Sequence, residues 1–197
     1  MKLMSVLALV IAFAMPVHSE VIDPKIVVKN VADKVLSEIL LNKEKLDQGP
    51  EFLLSLIETY MLPIIDQERM SKMALKGHWG TIDKQQQQNF IEGFKRLMIK
   101  TYAGAFKSYT GQKVSYSDTK FNKSGSKAIV SSAIHMAGGS LVSLQYYLYQ
   151  AEPGKWMVYD ANLAGLGVLK TYRVQFNEQI RKDGIQKTID QLLAVRL

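Results

Sequence analysis

The sequence predicts an α+β fold, because helical periodicity dominates the first half of the chain and strand periodicity the middle. Up to about residue 109, apolar residues recur at the three- and four-residue spacing of amphipathic helices. From residue 113 to 163 the pattern alternates, and the short connectors NKSGS, AGGS and EPGK separate the segments as in β-hairpins. Two amphipathic segments close the chain. The expected architecture is a four-stranded antiparallel meander covered by N-terminal and C-terminal helices.

The first 19 residues have the features of a secretory signal peptide. Lys2 is followed by an apolar run at 3–15, and Val17 and Ser19 stand at the −3 and −1 positions of a cleavage site. The run is too short to cross a bilayer as a helix. We therefore expect an exported protein in which residues 20–197 form one domain. The chain has no cysteine, so no disulfide contributes to its stability.

Turn and cap signals delimit the predicted elements. Pro63 should kink or end the second helix, Thr81 or Asp83 should cap the long helix, and Gly184 should end the helix that follows the sheet. The predicted helices lie at 24–46, 51–63, 65–75, 85–109, 168–184 and 185–197, and the predicted strands at 113–121, 127–136, 140–150 and 155–163. The apolar, glycine-broken segment 163–169 is expected to be irregular and to form a wall.

The residues that could carry chemistry are few. His78 and His135 are far apart in sequence, and without cysteine the chain offers no recognisable set of metal ligands. Asp160 ends an apolar strand, where burial could shift its pKa; the favoured alternative is a carboxylate that binds backbone amides of the next turn. We expect no catalytic residue, metal or cofactor. The net charge of +7 either suits an anionic lipid or an acidic partner or serves only solubility, and for an exported protein we expect no nucleic acid as partner.

The long helix at 85–109 is apolar over a wide arc. Its apolar side chains cover about 200° of the helical wheel, whereas a helix resting on one sheet needs only about 100°. Either the helix is sandwiched between the sheet and other helices, or part of the arc lines a cavity. Periodicity leaves both open. In the third strand, Val142, Leu144, Tyr146 and Leu148 are predicted to share one face.

Three stretches, 74–106, the meander and 158–192, together resemble the toluene-tolerance family of periplasmic phospholipid-binding proteins. The resemblance rests on an A-L-x-x-x-W turn, a Tyr-Asp strand end, a following glycine, a Tyr-Arg-x-x-Phe helix and a late D-G-I, which are here Ala74, Leu75, Trp79, Tyr159, Asp160, Gly165, Tyr172, Arg173, Phe176, Asp183, Gly184 and Ile185. The chain departs from the family where Ala164 and Gly167 replace an acid and a serine.

The resemblance implies an NTF2-like fold with a deep apolar cavity between the helices and the sheet, enclosed by the long helix and the meander. This cavity takes the acyl chains of a phospholipid as cargo, and no cofactor is implied. The resemblance also implies a monomeric periplasmic carrier between an outer-membrane lipoprotein–porin complex and an inner-membrane ABC transporter with an MCE-domain protein, which maintains outer-membrane lipid asymmetry. The alternatives are an NTF2-like periplasmic enzyme that uses Asp160 and an interaction module without a ligand. The candidate lipid-binding residues are Phe94, Met98, Tyr102, Phe106, Val142, Leu144, Tyr146, Leu148, Leu166, Leu169, Tyr172 and Phe176.

Overall fold

A computed structural model describes residues 22–197. The predicted signal peptide at 1–19 and the predicted start of the domain at residue 20 lie outside the described residues. Among the helices of the described part, none has both the length and the apolarity needed to cross a membrane.

The described chain runs from helices through a sheet to two final helices, which confirms the α+β class. The helices are α1 (Pro24–Leu41), α2 (Lys43–Gln48), α3 (Glu51–Leu56), α4 (Gln67–Leu75), α5 (Lys84–Lys107), α6 (Val168–Asp183) and α7 (Ile185–Leu193). The strands are β1 (Val114–Tyr116), β2 (Lys120–Phe121), β3 (Lys127–His135), β4 (Leu141–Glu152), β5 (Lys155–Leu163) and β6 (Leu166–Gly167).

Two predicted helix boundaries are confirmed by their cap geometry. The Asp83 carboxylate accepts a hydrogen bond from the Gln86 backbone N–H (2.8 Å), and the Gln86 side chain accepts one from the Asp83 N–H (3.0 Å). This capping box satisfies two donors that the first turn of α5 would otherwise leave unpaired. Gly184, with φ of 80°, separates α6 from α7.

The other N-terminal helices are more broken than predicted. The single helix expected at 24–46 is interrupted at Asn42, whose side chain donates to the Glu38 carbonyl at the end of α1 (3.1 Å). The helix expected at 51–63 is α-helical only to residue 56. It continues as a π-helical turn, Ile57–Met61, and a 3₁₀ turn, Leu62–Ile64. Pro63 has no N–H with which to continue the helical hydrogen bonds, so the helix ends at this turn.

The sheet is an antiparallel meander with strand order β1-β3-β4-β5-β6, and β2 also pairs with β3. The predicted strand 113–121 is two strands. The chain takes four steps from Tyr116 to Lys120, while β3 takes three between their partners Ser132 and Ile129. That extra residue interrupts the pairing. Strand β6 adds a short hairpin that the prediction did not include, so the described sheet has six strands rather than four.

The core is divided among three clusters of buried side chains. One lies between α1 and the sheet, where Val28 packs with Val130 and Leu148. A second gathers α1, α2, α3 and the π-helical turn around Ile39 and the C-terminal half of α5. The third joins α4, α5, α6 and α7 around Phe90. Helix α5 contributes to two of the three clusters, which explains part of its wide apolar arc.

Gly93 allows α5 and α7 to approach closely, and we expect Gly93→Ala to destabilise the domain. A Cβ built on Gly93 would lie 2.6 Å from the Leu192 Cβ and 3.0 Å from the Leu192 backbone carbon. Helix propensity alone favours alanine by about 1 kcal/mol, but overpacking costs about 1–3 kcal/mol. Urea denaturation should show a net loss, with Gly104→Ala as the control because nothing lies near that position. A more stable Gly93→Ala variant would contradict the close approach.

Candidate functional site

A cavity of about 140 Å³ lies between α4, α5 and the π-helical and 3₁₀ turns at 57–64. Its walls are almost entirely apolar. They are formed by Ile57, Met61, Leu62, Ile65, Gln67, Met70, Ser71, Ile91, Phe94, Lys95, Met98, Ile99, Tyr102 and Phe106. In volume, this apolar cavity is comparable to engineered cavities that accept a benzene-sized ligand.

Helix α5 provides the longest wall of the cavity. The four candidate residues chosen on this helix, Phe94, Met98, Tyr102 and Phe106, all line it. They are spaced by four residues, and side chains at that spacing lie one above the other on a helix face. The apolar arc of α5 therefore both packs against other elements and lines a cavity, and Phe94 does both because it also belongs to the core cluster around Phe90.

The opposite wall comes from a segment that contains none of the predicted lipid-binding residues. Met61 ends the π-helical turn, Leu62 begins the 3₁₀ turn, Ile65 comes just before α4, and Met70 lies within α4. The available signal was the combination of Pro63 with methionines on either side, because a broken helix carrying flexible thioether side chains packs adaptably.

Polar groups meet the cavity at Lys95, Gln67 and Ser71. The Lys95 ammonium bonds to the Glu92 carboxylate (2.6 Å), which also accepts a hydrogen bond from the Arg96 guanidinium (3.0 Å). Partial burial acts to raise the pKa of Glu92, but its bonds to Lys95 and Arg96 outweigh this and hold the pKa below its ordinary value. Lys95 therefore contributes its methylene stem to the wall, while its charge is held by Glu92.

The four candidate residues on β4 lie on the face of the sheet that is turned to the helices. The register places Leu148 opposite Ala128 and Val158, and all three are buried. Val142, Leu144 and Tyr146 follow on the same face at two-residue spacing. Burial raises the pKa of the Tyr146 phenol, despite a hydrogen bond with Ser132 that acts in the opposite direction.

The described cavity does not lie at the predicted position. That expectation put it between the long helix and the meander, whereas its walls come from helices, turns and Ile65. The inner face of the sheet is instead occupied in part by α1, whose Val28 packs on Leu148. No residue of β4 is among the residues that line the cavity.

The closing segment divides into a supporting layer and an exposed turn. Leu169, Tyr172 and Phe176 of α6 are buried behind the cavity wall, and the Phe94 ring contacts those of Tyr172 (5.1 Å between centroids) and Phe176 (5.3 Å). Leu166 lies at the surface and is 70% exposed.

The irregular wall predicted for 163–169 is wrong, because these residues form regular structure. Ala164 and Gly165, with φ of 50° and 86°, make the two-residue turn between β5 and β6. Positive φ at both central positions is what a tight hairpin of this kind requires. Helix α6 then begins at Val168.

Asp160 binds backbone amides, as the favoured interpretation of the sequence predicted. Its Oδ1 accepts hydrogen bonds from the N–H of Ala161 (2.7 Å) and of Leu169 (3.2 Å), so it ties β5 to the first turn of α6. Burial raises the pKa of the carboxyl, although these two amides and nearby Arg173 act in the opposite direction. The Arg173 guanidinium donates to the Met73 carbonyl (3.1 Å), which joins α6 to α4.

We expect Asp160→Asn to keep the fold and Asp160→Ala to lose about 1–2 kcal/mol of stability, because only the asparagine side chain retains an acceptor for the amides. The folded-state pKa of Asp160 lies above its ordinary value of 3.8. Between pH 3.8 and this raised pKa, the folded state binds the proton of Asp160 more readily than the unfolded state does. The stability of the wild-type protein relative to Asp160→Asn should therefore fall as the pH rises through this interval, and the difference should be constant at higher pH. Denaturation at several pH values measures both effects. Equal stability of Asp160→Ala and wild type would contradict the anchoring contact.

No group of three or more potential metal ligands occurs within residues 22–197. His135 lies at the end of β3, where its Nε2 is 2.9 Å from the Ser115 hydroxyl. His78 lies in the 3₁₀ turn Lys76–Thr81, before α5.

The fold and the cavity define a class of protein: an α+β domain in which helices beside an antiparallel meander enclose an apolar space. A sequence profile of the family described as MlaC protein matches residues 29–194, and the chain belongs to this family. The resemblance to the toluene-tolerance family is thereby confirmed, because the curated relatives include proteins of both descriptions.

Two relatives and one solved structure illustrate the similarity. The intermembrane phospholipid transport system binding protein MlaC of Haemophilus influenzae is 25% identical, over 86% of this chain and 80% of its own length. The toluene tolerance protein ttg2D of Pseudomonas putida is 26% identical, over 85% and 78%. The phospholipid-binding protein from Ralstonia solanacearum, solved in complex with a phospholipid, superposes with a TM-score of 0.80 at 29% identity, over 88% of this chain and 98% of that one.

Proposed function

We propose that this protein is a periplasmic phospholipid carrier that holds acyl chains against α5. The observation that carries the proposal is the apolar cavity lined by Phe94, Met98, Tyr102 and Phe106. It occurs in a member of the MlaC family, and the relative from Haemophilus influenzae is named for intermembrane phospholipid transport. The superposable protein from Ralstonia solanacearum was solved with a phospholipid. The cargo is a ligand, and no cofactor takes part.

Loading requires the cavity to widen. A volume of about 140 Å³ is below the range of roughly 300–1,000 Å³ typical of pockets for drug-sized ligands, and a diacyl lipid is larger still. The segment most suited to move is 57–64, because its π-helical and 3₁₀ turns lack the regular α-helical ladder. Its displacement would extend the cavity along α5 toward the inner face of the sheet, where Val142, Leu144, Tyr146 and Leu148 would complete the wall.

The residues of the closing segment support this wall. Leu169, Tyr172 and Phe176 pack behind Phe94, and we propose that they contact cargo only when the cavity widens. Leu166, which is exposed, would contact lipid only as it enters or leaves.

Transport can be reversible because the acyl chains pass from one apolar environment, the membrane, to another, the cavity. Burial of one methylene gains about 0.8 kcal/mol against water, so some thirty methylenes gain on the order of 24 kcal/mol, beyond the practical limit of about 18–21 kcal/mol for non-covalent affinity. A lipid drawn from a membrane has tails that are already out of water, so the net change is small. An apolar cavity therefore permits both loading and release.

Direction then depends on partners. We propose that these are an outer-membrane lipoprotein–porin complex and an inner-membrane ABC transporter with an MCE-domain protein, between which a monomeric carrier maintains outer-membrane lipid asymmetry. No catalytic step is part of the proposal, and Asp160 supports this because its carboxylate is engaged by two backbone amides.

Native mass spectrometry of protein purified from the periplasm tests the carrier function. The expected spectrum contains a complex heavier than the chain by the mass of one or more phospholipids, which collisional activation releases. A spectrum of the chain alone, from protein that also fails to extract lipid from vesicles, would contradict the proposal.

A further inference from the structure

One end of the sheet collects three segments that contain no acidic residue. They are 107–113, which leads from α5 into β1, 136–141, which joins β3 to β4, and 163–170, which leads from β5 into α6. We call these three segments the basic rim. They carry Lys107, Lys113 and Lys170, all exposed.

Hydrogen bonds hold the three segments at the same end of the sheet. The N–H of His135 donates to the Lys113 carbonyl (2.9 Å), which fixes the first segment beside the β3–β4 turn. The N–H of Ala164 donates to the Ser143 carbonyl (2.8 Å), which fixes the β5–β6 turn beside β4. The three segments are therefore anchored at the same end of the sheet.

The rim also exposes large apolar side chains. Leu141 is 59% exposed, Leu166 is 70% exposed and Met136 is 38% exposed. Large apolar side chains among lysines, without carboxylates, are typical of surfaces that bind at an anionic lipid–water interface. Within residues 22–197, the ion pairs involve none of the three rim lysines, so their charges are available to a partner.

The rim adjoins the cavity. Phe106 lines the cavity, and Lys107, the next residue, ends α5. Asp160, the acidic residue nearest the rim segments in sequence, is tied to backbone amides. We propose that the basic rim docks the protein on an anionic phospholipid bilayer, with the exposed leucines at the level of the headgroups and the C-terminal end of α5 facing the membrane. This docking is independent of whether the cavity holds cargo.

Vesicle co-flotation tests the docking. Purified protein is mixed with vesicles of phosphatidylcholine containing phosphatidylglycerol, or of phosphatidylcholine alone. Binding to the anionic vesicles should fall steeply from low to high salt, because exposed charges are screened. The triple variant Lys107→Glu, Lys113→Glu, Lys170→Glu should bind at least a hundredfold more weakly, since each lysine near an anionic surface contributes about fivefold.

The chain offers a matched control at the other end of the sheet. Lys120, Lys123 and Lys127 are also exposed, so their replacement by glutamate changes the net charge by the same amount. Eight residue steps along β3 separate Lys127 from His135, which is about 27 Å and well beyond the screening length of about 8–10 Å. This control should retain most of the binding. Leu141→Ser should weaken binding about twofold, with Val174→Ser, an exposed position on α6, as its control.

Three outcomes would overturn the proposal. The first is that the wild-type protein does not bind anionic vesicles at low salt, in which case a rim variant that disturbs transport would indicate a protein partner. The second is an equal loss from both triple variants, which would indicate attraction by net charge alone. The third is binding that does not depend on anionic lipid. Lipid retention, measured on the same triple variant by native mass spectrometry, separates failure of docking from failure of the carrier function.

Discussion

Replacing Met98 with glutamate is expected to abolish the retention of phospholipid and to leave the domain folded. Met98 lines the cavity but is only half-buried, so the carboxylate can turn toward solvent in the absence of cargo. With acyl chains against α5 it would meet hydrocarbon, where a charged side chain costs about 3 kcal/mol. We therefore expect at least about a hundredfold loss of affinity. The phospholipid content of purified protein measures it.

A matched variant on the same helix controls for charge. Lys100→Gln also lowers the net charge by one unit, but Lys100 is exposed and does not line the cavity. It should retain lipid. Full retention by Met98→Glu as well, with an unchanged circular dichroism spectrum, would show that cargo does not contact this face of α5.

Phe176→Ala is expected to lower the free energy of unfolding by about 3–5 kcal/mol. The Phe176 ring is almost fully buried and contacts three other rings: Phe90 at 5.2 Å and 76°, Phe94 at 5.3 Å and 83°, and Tyr172 at 5.8 Å. Edge-to-face contacts add to the burial of the ring itself. Since domains of this size are stable by about 5–15 kcal/mol, the variant should be partly unfolded in mild urea.

The control for this prediction lies one half-turn away on α6. Val174 is 55% exposed, and Val174→Ala should change the stability by less than about 0.5 kcal/mol. If Phe176→Ala lost less than about 1 kcal/mol, the aromatic cluster would not be the main link between α5 and α6.

The sequence predicts the regular elements well because their signals are local. The capping box at Asp83 and the glycine at 184 act within a few residues, and both boundaries follow from them. The four cavity residues of α5 follow from helical periodicity, since any element packed on that face must meet them.

The position of the cavity could not be predicted, because it depends on contacts between distant elements. The path of residues 57–65 decides whether Met98 of α5 faces a strand or α4. This path depends in turn on a distant contact, because Ile65 pairs with Val158 of the sheet. Periodicity shows which side chains are apolar and not which element covers them. Alternation along β4 predicts that its four candidate residues share one face, but the packing of α1 on that face has no local signal in the sequence.

The β5–β6 hairpin was missed for a different reason. A two-residue turn with positive φ at both positions is usually recognised by Asn-Gly or Asp-Gly. Here the first position is Ala164, which adopts a φ of 50° although its Cβ disfavours it. The surrounding leucines and glycines therefore suggested an irregular wall, when Leu166 is in fact at the surface.

Phe94 belongs to both the cavity wall and the aromatic cluster that joins α5 to α6. A ligand that contacts Phe94 in the cavity would therefore also affect the packing of the aromatic cluster behind it. Under the proposed function, a ligand that fits should raise the melting temperature of the whole domain, by mass action on the folded state. The melting temperature would then report occupancy whatever the headgroup of the lipid.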